Sequence, residues 1–465
     1  MKGLPCAVVT LLVASALPAA AQGSGSSQGS RFQGSVPRGS VTATPLSLSL
    51  RDAIDRGLAT NLGLIESAED VRSSRAAWLR NLSSLLPNVT GEVSRTTEQV
   101  SLAQIGFTNL PGFILPTVIG PFSYVDARGY VSQSVFNWAD INNARSASAS
   151  RRASEFSYKA AREIVVQATV NAYLVAIADA ALVDATRAQA ATAEASLQQT
   201  TDQNRSGVVA SIDVLRARVQ FQTEQQRVIA AENQLAIDKL SLARVIGLPN
   251  GQRFAVSDDV PYSELSEFGL EEALTRAYAS RPDYQSAKAQ VRAAELAKRA
   301  AAAGNYPSAR VEASYGAIGT TFADSNGTVT FTGSVAIPIF QGTSVQANVL
   351  QADAALTRAR AQLDDFTGQI DYDVRTAFLN LASAKQLVAV ARSNVDLAAQ
   401  TFVQARDRLA AGVTDNLEVV EAQESIARAN QSYISSVYTY NSAKVALAQA
   451  IGAAERSAVS YLGVK

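Results

Sequence analysis

The side chains that most often carry enzymatic or metal chemistry are nearly missing from this chain. It has no histidine, which removes His-based triads, His general bases and His metal ligands together. Its one cysteine, Cys6, falls in a segment expected to be removed, so thiolate sites and disulfides are excluded too. Carboxylates, hydroxyls, lysines and arginines remain. No Gly-rich phosphate loop, nucleophile elbow or metal-ligand cluster organises them. Glu421 and Glu424 stand at ordinary helical spacing and read as a solvated face rather than a general acid–base pair. A chain with this inventory reads as a non-enzyme without cofactor or metal. Its 41 basic and 41 acidic residues balance, which argues against the basic stripe of a nucleic-acid binder.

The remaining acids in a pattern, Asp213 and Glu418, belong to two related stretches. Asn204–Leu215 contains Gly207, Ser211, Asp213 and Val214-Leu215, and Leu409–Val420 contains Gly412, Asn416, Glu418 and Val419-Val420 at the matching places. Glycine ends a helix in the left-handed conformation. Ser211 and Asn416 are expected to cap the helix that follows, which puts Asp213 and Glu418 in its first turn, near the positive dipole end. Two such tips in one chain predict two long helical hairpins and an internal duplication.

The elements around the tips repeat as well. Leu50–Asn61 matches Leu270–Arg281, each a short amphipathic helix, followed by a second helix that runs to Pro87 or Pro307. Proline lacks the N–H a helix needs and disfavours helical geometry in the residue before it. Beyond each proline the period becomes two: Val89, Gly91 and Val93 alternate with polar residues, as do Val311, Ala313 and Tyr315. Return strands are expected over 124–136 and 328–340, with Val329, Phe331, Val335 and Ile337 on one face. Strands of about ten residues suit a tilted membrane crossing; a half-buried soluble hairpin is the alternative. The longer, apolar loop of the first hairpin, 102–122, is expected to fold over or into a barrel mouth, or else to pack on its neighbours or on lipopolysaccharide.

Long helices are predicted over about 138–204 and 343–409, each roughly 100 Å at 1.5 Å per residue, with return helices over about 212–246 and 417–451. In the second hairpin Val374, Leu381, Val388, Val395, Phe402 and Leu409 recur every seven residues, with Ala377, Ala384, Ala391, Ala398 and Ala405 between them. This is a coiled-coil seam with left-handed supercoiling. The first hairpin keeps that register only at Ala176, Val183, Ala190 and Leu197, with Asp179, Thr186 and Thr200 interrupting, so the second pair is expected to be the tighter.

Residues 1–21 read as a secretory signal peptide: Lys2, an apolar run from Ala7 to Leu17, then Ala19-Ala20-Ala21. Residues 22–45 read as a flexible leader, 46–249 and 269–452 as the two repeats, 250–268 as their linker and 453–465 as a tail. The mature chain has no other apolar run that reads as a transmembrane helix, so membrane entry would be as a β-barrel.

Signal peptide, duplication, proline-to-strand junctions and glycine tips, from about Leu46 to about Gly452, resemble the TolC-type outer-membrane factor family. The resemblance implies a mostly α, mixed fold: a homotrimeric channel-tunnel with a twelve-stranded transmembrane β-barrel, four strands per chain, and a long periplasmic α-helical barrel. It implies an outer-membrane exit duct for tripartite efflux or type I secretion, working with a periplasmic adaptor, an inner-membrane pump of RND or ABC type and outer-membrane lipid. It places adaptor docking at Gly207, Val208, Val209, Ala210 and Ser211 and at Gly412, Val413 and Thr414. It places acidic rings at the entrance on Glu418 and Glu421, with Asp213 the acid of the first tip. Leu409 and Thr414 stand where better-known members carry a tyrosine and a basic residue, so a different contact is expected to hold the entrance shut. A periplasmic coiled-coil scaffold without a pore is the alternative, and it leaves the strands unexplained.

Overall fold

The computed structural model describes residues 32–102, 117–258, 262–265, 269–414 and 416–463. The chain runs β1 (Leu46–Leu48), α1 (Leu50–Thr60), α2 (Leu62–Ser83), β2 (Asn88–Ser101), β3 (Val118–Asn137), α3 (Trp138–Arg205) and α4 (Ser211–Val245). After β4 (Phe254–Val256) the pattern recurs as α5 (Leu270–Ser280), α6 (Pro282–Ala302), β5 (Ser308–Gly319), β6 (Asn326–Ala336), α7 (Ser344–Ala410) and α8 (Asn416–Ala450). A last helix, α9 (Ala454–Leu462), closes the described chain. The signal-peptide residues and most of the apolar loop lie outside the described residues.

The two hairpins expected from the alternating strands join each other. One four-stranded antiparallel sheet has the order β2-β3-β5-β6, with β3 and β5 paired from Val125↔Gly319 to Asn137↔Ser308. The last strand stops at Ala336 instead of Phe340, because Pro338 has no N–H to give a ladder. The register sorts side chains row by row. Val89, Val131, Ala313 and Phe331 lie side by side across the four strands, and the next row is Thr90, Tyr130, Ser314 and Thr330. Arg128 bonds Asp126, Ser314 and Thr328 on the polar face. Gly316 is glycine there because a Cβ would collide with the Ala127 carbonyl and the Arg128 backbone.

Helices α3 and α7 turn back into α4 and α8. In the α7–α8 hairpin Val374, Val388 and the five seam alanines are buried, while Leu381, Val395, Phe402 and Leu409 are half-buried. Tyr440 and Ala443 pack on Val388 and Ala384, and Val419 and Ala422 on Ala405. In the α3–α4 hairpin Thr186 and Thr200 sit buried in the seam and donate their hydroxyls to Leu182 and Ser196 carbonyls of their own helix. A threonine so satisfied packs much as valine does, so the polar seam position without such a remedy is Asp179.

The main core lies where the repeats meet. Leu48, Leu50, Val166, Val170, Leu174, Leu242, Ile246, Val445 and Leu462 form one cluster, and β1 pairs in parallel with β4. Tyr173 donates to the Leu48 carbonyl at 2.8 Å. One stretch of α3 is as apolar as a membrane-crossing helix, unlike the expectation from sequence; Val166, Val170 and Ala176 of α3 pack in this core. The end of the expected flexible leader is held: Val36 N–H donates to Thr60, Arg38 N–H to Gly247 and Thr42 N–H to the Gln252 side chain.

Lys444 is 0% exposed, with its ammonium 4.7 Å over the Tyr440 ring and donating to Ser263 Oγ at 3.1 Å. Burial pushes its pKa down to about 8. The folded state therefore bears a protonation cost below pH 8 that fades as pH rises toward about 10.5. Lys444→Met is expected to stabilise the protein at pH 7 by up to ~3 kcal/mol, with the gain vanishing at about pH 10.5. Thermal melting at both pH values checks this; no gain at pH 7 contradicts it.

Candidate functional site

Both tips are built alike. At the first, Gly207 takes φ +76°, its N–H donates to Asn204 and the Val208 N–H to Gln203. At the second, Gly412 takes φ +71°, with Gly412 N–H on Leu409 and Val413 N–H on Arg408. These bonds satisfy the last helix carbonyls. They leave Val208 72% and Val413 68% exposed at the two apexes. The Asn204 side-chain amide donates to the Val209 carbonyl at 2.8 Å and fixes the first tip.

The capping expectation is corrected at both places. Ser211 is the first residue of α4 and Ala210 is the cap, with no side-chain bond. Asn416 is the first residue of α8, buried, and its amide has no hydrogen-bond partner. One residue further in, the side chain points along the helix wall and misses the free N–H groups.

The acids occupy different surroundings. Glu418 accepts from Arg408 at 2.8 Å and from the Thr414 hydroxyl, so its charge is partly countered within its own tip. Thr414 is thus half-buried against Glu418. Glu421 is exposed on the same face of α8. Asp213 pairs with Arg216 of its own helix at 3.3 Å. Among the described residues no group of three His, Cys, Asp or Glu could hold a metal.

A contact between the hairpins escaped the sequence reading. Arg227 of α4 reaches Glu224 at 2.8 Å and Glu424 of α8 at 2.7 Å. Glu224 is 2% exposed and also accepts from Gln220 at 2.9 Å; burial pushes its carboxyl above the usual range while Arg227 pulls it back. Glu424 is therefore a partner in an inter-helix bond and not merely part of a solvated face. The local signal, an acid three residues before an arginine, is that of any surface helix, and the distant partner leaves no mark in sequence.

Two further surfaces are unfinished in one chain. The apolar rows of the sheet are exposed, with Val89, Val93, Tyr315, Val329, Phe331 and Val335 prominent, and the edges of β2 and β6 have no strand beside them among the described residues. Long open edges with apolar faces call for closure and a non-aqueous surrounding. On the helices, Leu215, Val219, Ile229 and Leu240 line α4, and Tyr372, Leu379, Val390 and Leu397 line α7, all exposed. A membrane barrel takes at least eight strands, and four cannot close one.

Such a chain is one subunit of a membrane-spanning tube, with the sheet in the bilayer and the hairpins forming a helical extension. Residues 53–248 and 273–453 match the family described as outer membrane efflux protein, and the chain belongs to that family. Its two matched stretches coincide with the two repeats. The toluene efflux pump outer membrane protein TtgC of Pseudomonas putida is 26% identical over 420 residues, 87% of this chain and 83% of that one. The outer membrane protein TolC of Escherichia coli is 24% identical over 353 residues, 69% of this chain and 68% of that one. The Campylobacter jejuni CmeC outer membrane channel has the same fold, with a TM-score of 0.74 at 16% identity, covering 91% of this chain and 92% of that one. The protein is thus an outer-membrane efflux channel of the trimeric channel-tunnel fold, reaching from the bacterial outer membrane into the periplasm.

Proposed function

We propose that three copies of this chain form the passive exit duct of a tripartite machine, docked at its tips by a periplasmic adaptor and fed by an inner-membrane pump of RND or ABC type. The supporting observation is the pair of equivalent tips, each presenting an exposed valine on a rigid, glycine-closed turn at the far end of its hairpin from the sheet. Gly207, Val208, Val209, Ala210 and Ser211, with Gly412, Val413 and Thr414, form the adaptor surface. Outer-membrane lipid covers the apolar rows of the sheet, and neighbouring copies cover the stripes on α4 and α7. The mass of the detergent-solubilised protein, measured with single-channel conductance, tests the duct. A trimer with stable conductance is expected; a water-soluble single copy without conductance overturns the reading. Co-purification of an adaptor from native membranes, lost on Val208→Asp with Val413→Asp, tests the tips.

Threefold repetition turns Glu418 and Glu421 into acidic rings, which favour cations at a pore mouth. Because Arg408 counters Glu418, Glu421 carries the larger share of the field and Asp213, held by Arg216, the smaller. Glu421→Gln is expected to lower cation preference more than Glu418→Gln, and the double variant most. Reversal potentials in a salt gradient decide this, and unchanged selectivity in the double variant rules the rings out. Leu409 and Thr414 leave the closing contact to other residues, and Arg227 with Glu224 and Glu424 supplies one.

A further inference from the structure

The seam of the α3–α4 hairpin holds an acid facing an acid. Asp179 lies between the buried seam residues Ala176 and Val183, and Asp238 of α4 stands across from it within hydrogen-bonding reach. Asp179 Oδ2 is buried with no donor, since two ionised carboxylates have none to offer. Gln234 donates to Asp238 Oδ2 at 2.6 Å and holds that side chain in place. Among the described residues, no cation pairs with Asp179. Toward the tip, Arg187 is occupied by Glu232. Lys239, next to Asp238, lines the groove against the leader with Leu240 and Arg244. From α8, Tyr438 faces both acids as a neutral phenol, its own ionisation pushed up by burial and by the two carboxylates.

We propose that Asp179 and Asp238 form a proton-operated clasp on the first hairpin, closed when they share one proton and loosened when both are charged. The shared proton makes a carboxyl–carboxylate hydrogen bond across the seam, stronger than a neutral one. Its loss puts two like charges face to face in a half-buried interface. Burial and the facing acid raise Asp179 to about 7, against an ordinary value near 3.9. The closed hairpin then binds more protons than the loosened one between about pH 4 and 7, so closure strengthens on acidification and is lost as pH rises through 7. This is a separate position on the helices from the Arg227 contact, and it does not depend on how the tips dock.

Hydrogen exchange of the detergent-solubilised full-length trimer tests the clasp, read over 172–186 and 231–245 at pH 5.5 and 8.0 and corrected for the intrinsic pH dependence. Protection is expected to be roughly 30-fold greater at pH 5.5, as each pH unit below 7 adds about tenfold. In Asp179→Asn the amide donates to Asp238 as a protonated acid does. That variant should be protected at both pH values, with the pH dependence gone. Asp238→Asn should flatten the dependence in the same way, and Asp179→Ala should flatten it without the added protection. The clasp is overturned if the wild type shows equal protection at both pH values, or if both asparagine variants keep the wild-type dependence.

Discussion

Phe331→Arg is expected to remove the assembled channel from the outer membrane, whereas Thr330→Arg, one residue away, leaves it in place. Phe331 is 74% exposed and sits in the middle of β6, in the row shared with Val89, Val131 and Ala313. An arginine on the lipid face of a barrel costs about 2–4 kcal/mol at the bilayer midplane. Three copies multiply that to ~6–12 kcal/mol per trimer, comparable with the whole stability of a folded domain. Thr330 points to the other face, beside Tyr130 and Ser314, where Arg128 is already accommodated by Asp126 and Thr328. The amount of trimer in the outer-membrane fraction distinguishes the two. Equal recovery of both variants would show that the apolar rows do not face lipid.

The division of the strands into an apolar and a polar face was legible in the sequence because strand period is local. The same holds for the long helices: glycines 207 and 412 punctuate them so firmly that the ends fall within a residue or two of the expected places, whereas the shorter helices expected to run to prolines 87 and 307 stop earlier, at Ser83 and Ala302. What failed was of two kinds. Ser211 and Asn416 are good capping types, but a shift of one position turns a cap into a first helical residue, and residue type cannot fix that. The leader reads as flexible because its residues are Gly, Ser and Pro; in its described part, from residue 32 onward, the backbone nonetheless bonds to Thr60 and Gly247, partners supplied by elements far along the chain. The β3–β5 pairing is non-local in the same sense. In the first seam, Thr186 and Thr200 read as interruptions because hydropathy counts a hydroxyl as polar wherever it points. Donated to the preceding turn, it leaves a methyl for the seam.

The fastening proposed for the entrance is a non-local contact of the same kind, and Arg227→Met is expected to undo it. The substitution strips Glu224 and Glu424 of their shared cation and leaves Glu224 buried beside Gln220 alone. Removing one partner of a buried pair costs about 3–5 kcal/mol. The lower end applies here, because Arg227 is about a third exposed and Glu224, already pushed toward its neutral form, can take up a proton. Two consequences separate. The stability loss comes from the stranded carboxylate, so Arg227→Met with Glu224→Met should recover most of the melting temperature. The lost bond between α4 and α8 is not recovered, so the double variant should conduct as freely as the single one. Glu424→Gln, which keeps a carbonyl for Arg227 and leaves Glu224 paired, should retain wild-type stability and raise conductance only slightly. Bilayer recordings of the three variants beside their melting curves isolate the contact that holds the return helices together. If the double variant conducts like the wild type, the Arg227 bond is a matter of packing and the entrance is held elsewhere.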